Sequence, residues 1–156
     1  MAKAKTTKVV KKRPTKKKLT PIGLLKKKLW LVYSEYIRLS HADSAGTVSC
    51  VACNNKYNWS GTGNLHCGHF FSKRFYSCIM FEEMNTKPLC NSCNRKQSSG
   101  EGYLYYLYLV KLYGEEAVKQ LFEKGQSKVP YTREQLQEKL DYYTEKLKAL
   151  KTNLNL

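Results

Sequence analysis

Cys50-Val-Ala-Cys53 and Cys90-Asn-Ser-Cys93 are two Cys-x-x-Cys knuckles that together supply four thiolates. Four thiolates close a tetrahedral zinc site with no ligand left over, so such a site holds structure and offers no open position to a reacting water. Four buried free thiols are the alternative, and the doubled spacing argues against it. The chain between the knuckles is longer than the roughly 15–20 residues of a compact zinc ribbon, which leaves room for a hairpin carrying His69. A lone histidine is ordinarily structural. Here it has company: Asn85 lies before the second knuckle and Asn94 directly follows Cys93. A hairpin bearing a His, packed on a helix that begins at an Asn, brings imidazole and amide oxygen to one spot. Neutral imidazole is suited to take a proton from water near pH 7. An amide oxygen suits magnesium, which keeps much of its water shell. Phosphodiester hydrolysis needs both a base and a cation.

The elements that must position these groups are legible in part. Pro21 is a favoured first-turn residue behind Thr20, a capping type. Ile22, Leu25, Leu29, Val32, Tyr33 and Tyr36 recur at helical spacing, which predicts an amphipathic helix from Pro21 to about Leu39. Residues 40–49 read as a loop, and a turn follows at Gly61-Thr-Gly63. Leu65–Phe71 reads as extended, and a basic loop leads to the second knuckle. That knuckle runs into a short helix stopped by Ser98-Ser-Gly100. Tyr103–Tyr113 is a helix apolar on more than one face, with Gly114 behind it as a cap. Ala117–Glu123 adds a short helix. Thr132 and Gln135 form a capping box. Leu136, Leu140, Tyr143, Leu147 and Leu150 then step 4-3-4-3, the spacing of a heptad seam. That seam packs either on its own domain or on a second copy of the chain.

Composition narrows the partners. Formal net charge is +16, and residues 1–34 hold twelve Lys or Arg with no acid. The stretch 1–18 lacks apolar periodicity and is expected to be disordered. It has no apolar core of a secretory signal, and no run is long enough to span a bilayer. A basic arm seeks a polyanion, most often nucleic acid. Lys16, Lys17 and Lys18 in the tail are candidate contacts, as are Lys73, Arg74, Arg95 and Lys96; Lys56 and Lys87 add to the charge around the knuckles. Tyr57, Trp59, Phe70, Phe71, Phe75 and Tyr76 are rings for stacking on unpaired bases or for the small core around zinc. Cys67 reads as a packed thiol, Cys78 as a loop residue and His41 as solvated. Six cysteines without a disulfide framework fit a reducing compartment.

The pieces Cys50-x-x-Cys53, Leu65-His-Cys-Gly68-His69-Phe70, Phe81-Glu-Glu-Met-Asn85 and Leu89-Cys90-Asn-Ser-Cys93-Asn94 resemble the HNH, or ββα-metal, nuclease motif. The closer match is the lambdoid phage recombination family NinG, also called Rap. Similarity runs from the helix around Tyr36-Ile37-Arg38 to the last helix, with the lysine tail in place of the family's cysteine-rich start. The resemblance implies an α+β fold: a zinc-stapled ββα-metal core over 50–100, flanked by a helix at 20–40 and a helical part at 103–150. On this reading 1–19 is a tail and 20–156 a single nuclease domain.

It also implies a DNA endonuclease acting on Holliday junctions and D-loops. His69 becomes the general base, Asn85 the residue orienting it, and Asn94 the ligand of a catalytic magnesium or manganese. The sequence departs from the motif at Gly68, where many HNH enzymes carry a second metal ligand. His66 and Glu101 are candidates to complete that shell, although a strand would turn His66 to the face opposite His69. Two-fold symmetric junctions favour a homodimer, formed through Tyr103–Tyr113 or the Leu136–Leu150 seam. The setting implied is a bacteriophage protein acting in the host cytoplasm, with no membrane. The alternative is a non-catalytic, zinc-dependent nucleic-acid-binding protein.

Overall fold

The structure is a computed structural model, and it describes residues 21–60, 63–100, 102–154 and 156. Lys16, Lys17, Lys18, the tail around them, the Thr20 cap, Gly61 of the expected turn and the candidate ligand Glu101 lie outside the described residues.

Helix α1 spans Pro21–Leu39, as its apolar spacing predicts. Leu29, Tyr33 and Ile37 fall at four-residue steps and are fully buried. They face α5, Arg133–Asn153, whose start is fixed by the Thr132/Gln135 capping box. Tyr33 meets Tyr143 edge-on, centroids 4.7 Å apart. Leu136, Tyr143 and Leu147 are buried in this same chain, so the heptad spacing belongs to intramolecular packing and the seam is not free to join two copies. Each fully buried leucine on this face contributes about 1.5–3 kcal/mol.

Two short hairpins sit beside the helix pair. Strands β1, Thr47–Ser49, and β2, Lys56–Asn58, are antiparallel with Val48 opposite Tyr57. Sequence spacing predicts only loop at residues 40–49, because three-residue strands are too short to show alternation. The first knuckle is the turn of this hairpin, closed by Asn54 N–H donating to the Cys50 carbonyl at 2.8 Å. Asn54 takes φ 60° there, a left-handed conformation that asparagine tolerates better than most residues.

The second hairpin pairs β3, Leu65–His69, with β4, Thr86–Cys90, in the register Leu65–Cys90 through His69–Thr86. Strand β4 is absent from the sequence reading. All five of its residues are buried, so it shows no alternation, and Pro88 argues against a strand. Lys87 is correspondingly not a surface contact for phosphate. It is 2% exposed, and its Nζ donates to the Glu83 carbonyl and the Tyr113 hydroxyl. Burial pushes its pKa down to about 8.

Helix α2, Asn91–Ser98, leaves β4 at the second knuckle. Helix α3, Tyr103–Tyr113, ends at Gly114 with φ 85°. Helix α4, Glu115–Gln126, is longer than the Ala117–Glu123 expectation. The fold is thus α+β: five helices and two small antiparallel sheets among the described residues. Alternation along β3 divides its side chains. Cys67 joins the α1–α5 core, whereas Phe70, just past the strand, packs with Leu89, Tyr105 and Leu109 in the core around the zinc-type cysteines.

Candidate metal centre and active site

The four cysteine sulfurs Cys50, Cys53, Cys90 and Cys93 all lie within 4.8 Å of one another. Tetrahedral zinc with bonds of about 2.3 Å sets its sulfurs about 3.8 Å apart, and Cys53 Sγ to Cys90 Sγ is 3.9 Å. The donor set fits a structural zinc with no position left for water. Its role in the fold follows from where the ligands sit. Cys50 and Cys53 belong to the β1–β2 turn, Cys90 ends β4, and Cys93 lies in the first turn of α2. The Cys90 sulfur also caps α2 by accepting from the Cys93 N–H at 3.4 Å. A metal here fixes the start of α2, and with it Asn94.

A cavity of about 660 Å³ opens between α1, β3, α2 and the loop after β3, and both His69 and Asn94 line it. The His69 ring stacks on Trp30 of α1 with centroids 5.0 Å apart and planes 17° apart. Its Nε2 lies 3.0 Å from the Met80 carbonyl oxygen. A carbonyl only accepts, so in neutral His69 the proton sits on Nε2 and the lone pair on Nδ1. Burial lowers the His69 pKa to about 4, helped by the Lys73 charge and opposed by the Met80 bond. The imidazole is therefore neutral at physiological pH. Lys73 lies over the same Trp30 ring, its Nζ 4.8 Å from the ring centre.

Asn94 approaches β3 from the α2 side. Its Oδ1 would stand 2.9 Å from a Cβ built on Gly68, so the residue before His69 is glycine for reasons of space. His66 shares the Gly68 face by strand alternation and lines the same cavity; its Nε2 is buried without a hydrogen-bond partner. The face opposite His69, where the alternation puts it, is thus the face that meets Asn94.

Asn85, the residue expected to orient the base, makes its hydrogen bonds to backbone. It is fully buried. Its Oδ1 accepts from the Phe71 N–H at 2.7 Å, and its Nδ2 donates to the Phe71 and Ile79 carbonyls. It clasps the loop that leaves β3 after His69, including the segment leading to Met80. Its position is that of a residue acting on His69 through the loop.

Other expected groups divide. Arg95 and Lys96 are exposed on α2, and Arg74 is exposed beside the Phe75 ring. Phe75 is 66% exposed, while Phe70, Phe71 and Tyr76 pack against neighbouring rings. Cys67 is buried, with its thiol pushed up to about 12. Cys78 is buried in a short 3-10 turn, its thiol 3.2 Å from the Gly125 carbonyl. His41 is not simply solvated: its Nδ1 lies 2.8 Å from the Ile37 carbonyl at the end of α1.

Four of the cavity residues have no mark in the sequence that ties them to the site. Trp30, Ser34 and Arg38 form a stripe at four-residue steps on α1, beside the apolar face that gave the helix away. The periodicity was present, but nothing local ties that stripe to a histidine so far along the chain. Gln97, whose Nε2 donates to the Phe70 carbonyl at 2.8 Å, has no signal at all.

An α+β protein stapled by a four-cysteine cluster that can hold zinc is the class that this geometry defines. Residues 1–153 match the family described as Bacteriophage Lambda NinG protein, and the chain belongs to that NinG family. It is therefore a bacteriophage protein related to phage recombination. Neither a curated protein nor a solved structure gives a significant match. Among the described residues no helix is long and apolar enough to cross a membrane.

Proposed function

We propose that the protein is a structure-specific DNA endonuclease of phage recombination, hydrolysing phosphodiester bonds in branched DNA such as Holliday junctions and D-loops. The observation that carries this reading is the anchoring of His69: Nε2 on the Met80 carbonyl, the ring against Trp30, and Nδ1 left as the basic nitrogen in the cavity shared with Asn94. A histidine held only for packing has no need of a fixed tautomer beside an open, cation-lined cavity. The succession β3, β4, α2 supports an HNH-type core, with the zinc cysteines at the strand–helix junction.

In this reading Asn94 Oδ1 would hold a magnesium or manganese ion, and His66, on the same face, would be a further ligand. When bound, such an ion would supply charge stabilisation at the leaving oxygen. His69 Nδ1 accepts a proton from the attacking water as the water oxygen bonds to phosphorus. The bond to the leaving oxygen breaks, that oxygen takes a proton from solvent, and His69 returns its own proton to solvent. Arg74, Arg95 and Lys96 lie outside the cavity as contacts for flanking phosphates, with Lys73 at its wall.

Two scissile strands per junction call for two active sites, so we place a homodimer interface on α3. Tyr103, Leu104, Leu107 and Leu112 are exposed there, whereas the α5 seam is already covered. Sedimentation of the junction complex as a 1:1 species would rule the dimer out. The nuclease reading is tested by cleavage of matched four-way, flap and linear duplex substrates with magnesium and with manganese. Wild-type protein is expected to cut branched DNA, and His69→Ala to bind it without cutting. No cleavage by wild type under either metal would leave a zinc-dependent nucleic-acid-binding protein.

A further inference from the structure

The α1 stripe that walls the cavity ends in a cation whose placement stability alone does not explain. Arg38 is half-buried and lines the cavity that holds His69 and Asn94. Its Nε donates to the Trp59 carbonyl at 3.0 Å. That carbonyl is itself fixed, since the Trp59 N–H donates to Gly46 at 3.0 Å at the base of the first hairpin. One of the five N–H donors of the guanidinium is thereby used for orientation, and the two terminal amino groups remain for other partners. No carboxylate among the described residues forms an ion pair with it. Its charge still acts inside the fold, as it draws the pKa of the Cys67 thiol downward against the effect of burial.

Withdrawing a cation from water without a counter-ion costs free energy. A guanidinium held at Nε, with its terminal amino groups unbonded among the described residues, has the geometry that takes two oxygens of a phosphate at once. Lys73 stands on the same wall, also without a carboxylate partner among the described residues. Exposed basic residues on α2 can hold DNA anywhere along its backbone; Arg38 can reach only a phosphate that has entered the cavity.

We propose that Arg38 is a catalytic residue that grips the non-bridging oxygens of the scissile phosphodiester and stabilises the charge that builds on them as water attacks. This rests on the nuclease reading of His69. The bland alternative is a structural tie, in which Arg38 only fastens the β1–β2 hairpin to α1 through Trp59. The two differ in what lysine can replace. A lysine keeps the charge but loses the planar fork, so Arg38→Lys is expected to lower kcat on a four-way junction by about 10²–10³ while junction affinity changes little. Millimolar methylguanidinium is expected to restore part of the kcat of Arg38→Ala. A structural tie predicts instead that activity falls only in step with the folded fraction, and that methylguanidinium does nothing; either result overturns the proposal.

A second measurement does not depend on cleavage. The Arg38 side-chain N–H resonances are expected to shift when the zinc-loaded protein, without magnesium or manganese, is titrated with a thymidine dinucleotide, and the shift to vanish in the presence of excess inorganic phosphate. Absence of that shift overturns the Arg38 assignment even where wild type cleaves. A clear shift in a protein that cuts no DNA upholds phosphate binding by Arg38 and sinks the nuclease reading alone.

Discussion

Replacing Gly68 by alanine probes the closest approach in the site. A Cβ there would sit 2.5 Å from Leu89 Cδ1, 3.0 Å from Leu89 Cγ and 2.9 Å from Asn94 Oδ1. Leu89 is fully buried in the core around the cysteine cluster, with Tyr105 and Leu109 behind it, so it has nowhere to retreat without disturbing that core. Asn94 is the softer neighbour and should give way. Overpacking of this kind costs about 1–3 kcal/mol. We expect Gly68→Ala to lower the unfolding free energy by that amount in urea melts followed by Trp30 and Trp59 fluorescence. Displacing a reacting group by about 1 Å costs on the order of 10²-fold in rate, so junction cleavage should fall well beyond the loss of folded protein. Gly68→Asp is the sharper test, because it installs the acid that many HNH motifs carry at this place. With the space already filled by Leu89 and Asn94, it should be less stable and less active than Gly68→Ala. An aspartate variant with wild-type stability and raised activity would refute the crowding argument, as would an alanine variant indistinguishable from wild type.

Three further outcomes follow from the same geometry. Stripping the cysteine cluster with a strong chelator should unfold the β1–β2 hairpin and the β4–α2 junction, seen as lost amide-exchange protection there; full protection with only activity lost would contradict a structural metal. His69 has a folded pKa near 4 against 6.5 for the free side chain, so its contribution to stability is complete above about pH 6.5 and is lost as pH falls towards 4. Its ring-proton NMR titration should have a midpoint well below 6, moving upward in Lys73→Gln, and a midpoint at the free-histidine value would show the ring is not held as described. Asn85→Ala leaves the Phe71 N–H and two carbonyls without their partner; we expect a loss of about 1–3 kcal/mol or more and a His69 resonance shifted by the slackened loop, and an unperturbed His69 would remove Asn85 from any positioning role.

The parts of the molecule that were legible are those whose signal is local. The α1 and α5 helices announce themselves by spacing and by a capping box, and the cysteine cluster by doubled knuckles. Strand β4 was not legible because burial on every side erases alternation, and because Lys87, a charged residue in a basic stretch, is a buried donor to Glu83 and Tyr113. The heptad spacing of α5 was visible, but spacing alone does not say whose helix covers it. His69 and Asn94 could be singled out by their place relative to the knuckles. Trp30 and Arg38 could not, because what makes them part of the cavity is the docking of α1 across β3, a long-range contact without a sequence mark. Asn85 could be singled out by its place before the second knuckle, but the backbone groups that it holds, at Phe71 and Ile79, could not.

The stack of His69 on Trp30 also has a bearing on how the molecule matures. Helix α1 is held chiefly by α5, and α5 follows the whole cysteine core in the chain. A ribosome delivers these elements in order. The knuckles, β4 and α2 are complete long before α5 emerges, so the metal can be captured while Leu29, Tyr33 and Ile37 still lack their cover. Until α5 arrives, Trp30 and Arg38 are held at the cavity only by the smaller contacts of α1 with β3 and β4 and by the bond from Arg38 to Trp59. A nascent chain, or one clipped before α5, would thus carry its cysteine cluster and its lysines but a less firmly held pocket. The cavity is thus secured only when the last helix of the chain is in place.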